Sequence, residues 1–300
     1  MFGRNRTKVP QWAFPLDEKR FTALMQTVEA RFAGQPHELG EGFIRAADGY
    51  EWGLANLAQM CAGVEVADVP TLVTSHFNTL AAARAFRANL NCADFDSISQ
   101  YLALRVYPDD WVERVDPTRA VSRPIAGELC SMVVYDFPDV IENIDASHMA
   151  GWGKTLDELM ALGKDNVRAH YPLVPQPMDL GGIACQVIDA EHVFASNIVF
   201  EMDAHPGLVG VGGALVALPT RNGAIVYPIV DLGVLKAVQL LATMAQGIFN
   251  DGPGSLTPQL FWYHDGQFEW FNCQINGRDI SAYPSDDFTA MLNSLAAPPA

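Results

Sequence analysis

The densest group of residues able to do chemistry in this chain is acidic. Asp136, Asp139, Glu142 and Asp145 follow an apolar run, opening with the triplet Asp136-Phe137-Pro138. Two carboxylates in one cleft can share acid–base work, one holding a proton while the other stays ionised. The spacing of Asp139, Glu142 and Asp145 also fits the solvated face of a helix starting after Pro138, with Ile141 and Ile144 on its buried side. That second reading is the simpler one. Arg221 sits in the turn Thr220-Arg221-Asn222-Gly223, where it is placed to pair with a carboxylate from this group. Trp152 lies between Gly151 and Gly153, and suits a ring that covers the end of a strand while the glycines let backbone approach. Asp136, Trp152 and Arg221 each interrupt an apolar pattern, so they form the candidate surface site. The plain alternative is three unrelated surface residues. No catalytic residue is assigned.

Other templates fail on spacing. Gly207, Gly210, Gly212 and Gly213 miss the dinucleotide fingerprint, because position 215 is Leu and a strand rather than a helix follows. They read as a loop. No phosphate-binding P-loop motif occurs. None of the seven histidines pairs with another at helical spacing, so neither a metal nor a cofactor is expected. No nucleophile elbow is present. Ser255, in Gly252-Pro253-Gly254-Ser255, reads as turn chemistry. Ser196, beside Phe194 and Ile198, reads as packed or bonded to backbone. Cys61, Cys92, Cys130, Cys185 and Cys273 are far apart and include no Cys-x-x-Cys pair, which fits free thiols in the cytoplasm.

The charge balance narrows the partners. Nineteen basic residues face 35 acidic ones, for a net charge of −16. Such a field repels phosphate backbones, so no nucleic acid is expected. It favours solubility and draws in a basic protein partner. The apolar stretch 232–249 is interrupted by Lys236, Gln239 and Gln246, so it reads as a core helix and no membrane span is expected. Arg4, Arg6 and Lys8 precede no apolar run, so the start reads as a frayed terminus rather than a signal peptide. A hydrophobic fraction of 49% supports a real core.

Periodicity supplies the elements. A helix is expected over 17–33, capped by Asp17, then a strand over 39–46 and helices over 52–64 and 69–89. A strand over 101–107 ends at Pro108. The polar stretch 109–124 is the best linker, giving regions 1–120, mostly helical α+β, and 121–300, α+β with two hairpins. The second region offers a strand over 129–135 and a helix over 155–170 with a Thr155/Glu158 capping box. A strand over 183–188 and a short helix over 193–201 follow. Strands 214–218 and 224–229 flank one turn. Strands 259–263 and 268–275 flank His264-Asp265-Gly266. Helices over 234–249 and from Ser285 complete the set. The fold class is α+β: a mainly antiparallel sheet built from hairpins, with helices packed on it and a division into two subdomains.

Several of these markers together resemble the bacterial YtpQ-type family of unknown function. They are Asp136-Phe137-Pro138, Ile141 and Ile144, Gly151-Trp152-Gly153, Leu156, Glu158-Leu159 and Asn166-Val167. Leu215 to Leu218, Pro219, Arg221 and Val226-Tyr227-Pro228 agree, as do Asp48-Gly49 and Asn56-Leu57. The resemblance spans most of 20–275. It implies a cytoplasmic bacterial α+β protein and brings no catalytic residues. Where the family's polar turn holds a histidine, this chain has Asn222-Gly223.

The leading functional expectation is a non-enzymatic protein-interaction module of adaptor, immunity or chaperone-like kind. The alternative is a hydrolase of unrecognised type using carboxylates near Asp136. A deep pocket with convergent polar groups favours the enzyme, and an acidic face with an apolar patch favours the module.

Overall fold

The computed structural model describes residues 9–47, 49, 51–114, 121–144, 146–276 and 279–296. The chain divides into two compact units. One runs to Asn89 and includes Pro138–Val140; the other holds Leu90–Phe137 and Ile141 onward.

In the first unit, helix α1 (Glu18–Phe32) starts at Asp17, whose carboxylate accepts from the N–H groups of Lys19 and Arg20. Three short strands form an antiparallel sheet: β1 (His37–Leu39), β2 (Phe43–Ala46) and β3 (Glu51–Gly53). The single strand expected over 39–46 is thus two strands, because the chain turns back through Gly42 at a φ of 80° that other residues resist. Helices α2 (Ala55–Ala62) and α3 (Val69–Ala88) follow. Trp52, expected in the helix, belongs to β3 instead. Phe21, Leu24, Ile44, Leu57, Cys61, Val73 and Phe77 share one core.

The second unit is α+β with antiparallel sheets. Its elements begin with α4 (Phe95–Ile98), β4 (Leu102–Pro108), α5 (Asp109–Arg114), β5 (Ser122–Ala126) and β6 (Leu129–Phe137). Then come β7 (Val140–Asn143), α6 (Ala146–Trp152), α7 (Leu156–His170), β8 (Gln176–Asp179) and β9 (Ala184–Asp189). After a 3-10 segment, Ala195–Phe200, follow β10 (Ala214–Thr220), β11 (Gly223–Pro228) and α8 (Val234–Asp251). The last elements are β12 (Leu260–His264), β13 (Gln267–Phe271), β14 (Cys273–Asn276), β15 (Asp279–Ala282) and α9 (Asp286–Ala296).

A six-stranded sheet in the order β13-β12-β10-β11-β9-β8 forms the middle layer. One of its faces, with Leu215, Ala217, Ile225 and Trp262, packs on α8 and on Phe288 of α9. The other, with Val216, Val226 and Phe261, meets Val106 and Leu129 of the smaller sheet β4-β6-β5. Both expected hairpins are antiparallel, Val216 facing Val226 and Trp262 facing Glu269. The last arm breaks at Asn272, and β14 pairs with β15 rather than extending β13.

Two expectations change. Residues 90–114, read from sequence as part of the N-terminal region, lie in the second unit, where β4 pairs with β6 along its whole length, Leu102 facing Tyr135 and Pro108 facing Leu129. The stretch 109–124 therefore connects paired strands, and its residues 115–120 lie outside the described residues. No helix starts after Pro138: Val140 and Ile141 are β-branched and enter β7, which pairs with β6, while Asp139 turns the chain at φ 65°. Asp145 lies outside the described residues.

The edge of β4 away from β6 needs covering, because its carbonyls would otherwise face apolar side chains unbonded. Two asparagine side chains do this. Asn166 of α7 donates from Nδ2 to the carbonyls of Ser99 and Leu102, both at 2.8 Å. Asn197 donates to the Leu104 carbonyl at 2.7 Å. Helix α7 comes close enough because Gly163 has no side chain: a Cβ there would stand 2.7 Å from the Leu104 nitrogen and 2.9 Å from the Ala103 carbonyl carbon. The Thr155/Glu158 capping box fixes where α7 begins. All five cysteines are free. Burial pushes the thiols of Cys61, Cys130 and Cys185 up to about 11, with Asp109 and Asp110 adding to the effect at Cys130 and Asp179 at Cys185.

Gly163→Ala forces α7 away from β4 and should cost about 1–3 kcal/mol in denaturant unfolding. Gly247→Ala on α8, where a Cβ meets nothing within 4 Å, is the control and should be neutral or stabilising by up to about 1 kcal/mol.

Candidate functional site

Strand alternation sorts the polar residues of the smaller sheet. Ala103, Arg105 and Tyr107 of β4 share a face with Cys130, Met132 and Val134 of β6, since Arg105 faces Met132 across the ladder. Asp136 continues that face and Tyr135 points the other way. Tyr107, Cys130, Met132 and Val134 pack with Val167 of α7 and with Phe194. Into this apolar layer the chain inserts Arg105, whose surface is only 4% exposed. Its Nη1 donates to the Tyr107 hydroxyl at 3.0 Å, and its guanidinium carbon lies 4.9 Å from the centre of the Tyr107 ring.

Arg221 reaches the same ring from the β10–β11 turn, its guanidinium carbon 5.9 Å from the ring centre. Its backbone is held on two sides. The Arg221 N–H donates to the Gly254 carbonyl at 3.0 Å, and its carbonyl accepts from the Ser196 N–H at 3.3 Å. The next residue, Asn222, donates from Nδ2 to the carbonyls of Ala190, Glu191 and His192. Burial pushes the Arg221 guanidinium down to about 10, and the neighbouring Arg105 charge pushes the same way.

Asp136 stands at the other side of Arg105. Its Oδ2 accepts from the Tyr171 hydroxyl at 2.8 Å, where Tyr171 closes the C-terminal end of α7. Tyr171 stacks on Phe194, with ring centres 4.8 Å apart, and lies 5.0 Å from the His192 ring. Burial raises the Asp136 carboxyl above its ordinary value, against the opposing pull of Tyr171, His170, Arg105 and His192. Burial and then the Asp136 carboxylate push the Tyr171 hydroxyl up to about 12. Burial lowers His192, against the opposing pull of Asp136.

Of the three residues singled out from sequence, Asp136 and Arg221 thus border one cluster, joined through Arg105 and Tyr107 rather than to each other. The expected pairing of Arg221 with a carboxylate is not made: among the described residues no carboxylate lies within ion-pair distance of it. Trp152 stands apart. It packs against Tyr135, on the opposite face of β6, and against Phe95, and donates from Nε1 to the Cys92 carbonyl at 3.0 Å. That is a structural role at the end of a strand. The reading missed Arg105. The signal was present, a lone charge inside Leu102-Ala103-Leu104-Arg105-Val106-Tyr107, which otherwise reads as a buried strand.

Two other features complete the unit. A cleft of about 780 Å³ is lined by Arg123, Asp157, Glu201, Asp203 and Tyr263, among others. Most of its carboxylates have polar partners: Arg123 pairs with Asp157, Tyr263 donates to Asp203 at 2.7 Å, and Glu201 lies 3.5 Å from Arg168 and 3.4 Å from His205, while Lys164 also lines the cleft. The glycine loop serves close packing. A Cβ on Gly210 would stand 2.3 Å from the Ile229 carbonyl oxygen, and Gly212 donates to that oxygen at 2.8 Å. The loop is thereby held alongside residues 229–235, and Val209, Val211, Val230, Leu232 and Leu235 are all exposed there, Val211 at 85%. Ser255 donates to the Phe249 carbonyl at 2.7 Å, as its turn reading requires. Ser196 is fully buried and its hydroxyl has no partner, so its expected bond to backbone is made by its N–H alone.

Among the described residues no group of three or more metal-ligating side chains converges, and no helix is long and apolar enough to cross a membrane. The chain matches no family model, no curated protein and no solved structure.

Asp136→Asn isolates the electrostatics of the cluster. A carboxyl raised in the folded state is bound more tightly to its proton there than in the unfolded chain. Its ionisation therefore costs stability as pH rises past 3.8 through the folded value. The amide cannot ionise and still accepts from Tyr171. The stability of the variant relative to wild type should be higher at pH 7 than at pH 3.5, as read by thermal unfolding. A difference that does not change with pH would contradict the assignment.

Proposed function

We propose that this protein is a non-enzymatic protein-interaction module of the cytoplasm, docking a partner that presents an apolar segment flanked by basic residues. The observation that carries this reading is the exposure of Val209, Val211, Val230, Leu232 and Leu235, carried by the glycine loop bonded to Ile229 and by the start of α8. Five large apolar side chains exposed together mark a surface kept for contact. The net charge of −16 supports a basic partner, because it speeds the approach of positive surfaces and repels acidic ones. Five free cysteines support a reducing compartment. The groups acting on Asp136 are a tyrosine, two histidines and an arginine, with no second carboxylate among them. Paired-carboxylate hydrolysis therefore gains no support there.

A photo-crosslinking residue in place of Val211 tests the reading, with the same residue in place of the exposed Glu29 as control. The expected outcome is crosslinking at 211 alone, to a protein whose linked peptide is apolar and lysine- or arginine-flanked. Leu235→Asp should weaken that complex by about tenfold or more, an amount typical of an anchor residue, while leaving the melting temperature near that of wild type. Rising salt should also weaken it. Equal crosslinking at both positions, or full affinity in Leu235→Asp, would overturn the proposal.

A further inference from the structure

The cluster around Tyr107 has an electrical imbalance that the docking patch does not explain. Arg105 and Arg221 bring two guanidinium groups to one tyrosine ring. Neither has a carboxylate within ion-pair distance among the described residues. The Nε–H of each is sealed from solvent without an acceptor. The Ser196 hydroxyl, in the segment bonded to the Arg221 carbonyl, is also buried and unpartnered. Asp136 exerts a pull on Arg105 but is already engaged by Tyr171. Buried charges normally come with their counter-charges, because desolvating a lone ion costs several kcal/mol. Here two like charges approach one tyrosine ring and repel each other, and the backbone of one is pinned by Gly254 and Ser196.

We propose that Arg105 and Arg221 form a binding site for a phosphate group, either inorganic phosphate or the phosphoryl end of a phosphomonoester. A carboxylate is planar and is satisfied by one guanidinium fork. A phosphate dianion carries two charges and enough oxygens for two forks at an angle, and the Ser196 hydroxyl adds a neutral donor from the same segment. The access side is that of Arg221, which is partly exposed where Arg105 is not. The acidic net charge makes such a site selective: only local, oriented donors overcome the repulsion that the whole chain exerts on an anion. This is a small-ligand site at the turn of the β10–β11 hairpin, while the docking patch adjoins the hairpin's open end, and it does not depend on that patch.

Calorimetry at constant ionic strength tests the site, with inorganic phosphate and O-phosphoserine as probes and acetate and chloride as controls. Wild type should bind phosphate and melt at a higher temperature in its presence. Binding of both probes assigns the phosphoryl group as the feature recognised; binding of inorganic phosphate alone assigns the free ion. Arg221→Gln should weaken either by about tenfold or more, since it removes a charge-assisted pair. Without phosphate the same variant should melt no lower than wild type, because it removes a repulsive neighbour. A merely structural arginine would lose stability instead. Arg105→Lys keeps the charge without the fork and should weaken binding as well. If that variant fails to fold, Arg221→Gln decides alone. No binding by wild type, equal binding by wild type and Arg221→Gln, or equal binding of acetate would overturn the proposal.

Discussion

The covering of the free edge of β4 is the constraint on which the second unit depends. An edge strand inside a protein needs partners for its outward carbonyls, and here side chains supply them. Asn166 and Asn197 cover the β4 carbonyls of Leu102 and Leu104, and Asn166 also bonds Ser99 in the turn before the strand. Gly163 makes room for the helix that carries one of them. Once α7 is fixed against β4, its C-terminal end places Tyr171 beside Asp136. The 3-10 segment that carries Asn197 also carries Ser196, whose N–H holds the carbonyl of Arg221. The closure of one strand edge thus sets where Tyr171 and the Ser196 segment meet the polar residues carried by the β4–β6 ladder and the β10–β11 turn.

The cluster also shows what an apolar environment does to ionisable groups. Asp136, His192 and Arg221 all shift toward their neutral forms, with burial the largest cause for each. Tyr171, held by the Asp136 carboxylate, shifts the same way. In the large cleft, by contrast, Asp157 meets Arg123 and Glu201 meets Arg168 across short distances.

Much of the fold was legible in the sequence, and for local reasons. Thr155 and Glu158 announced α7, Asp17 announced α1, and the turns at Asn222-Gly223 and Asp265-Gly266 set both hairpins. These signals act over a few residues, so they survive without tertiary knowledge. Failures came where long-range pairing decided. Val140 and Ile141 fitted a helical face until β6 offered them a ladder. The stretch after Pro108 resembled a linker because the pairing of β4 with β6 spans it. At the site, Asp136 and Arg221 were visible as polar interruptions, yet the residue that joins them was not. Arg105 lay in a strand read for its apolar neighbours, and only the sheet shows that its face is buried. Trp152 packs on Tyr135 as a large ring beside β6, but its flanking glycines bring no backbone close: a Cβ on Gly153 would meet nothing within 4 Å.

The buried thiols have a practical consequence in time rather than in space. A thiol held near 11 in an apolar layer is almost wholly protonated at neutral pH, and the thiolate is the form that alkylating reagents attack. Cys61, Cys130 and Cys185 can thus react only during the moments when their surroundings open. Alkylation kinetics at these positions become a clock for those openings. Because Cys61 belongs to the first unit and the other two to the second, one reagent would time the breathing of each unit separately, in a protein that needs no added label.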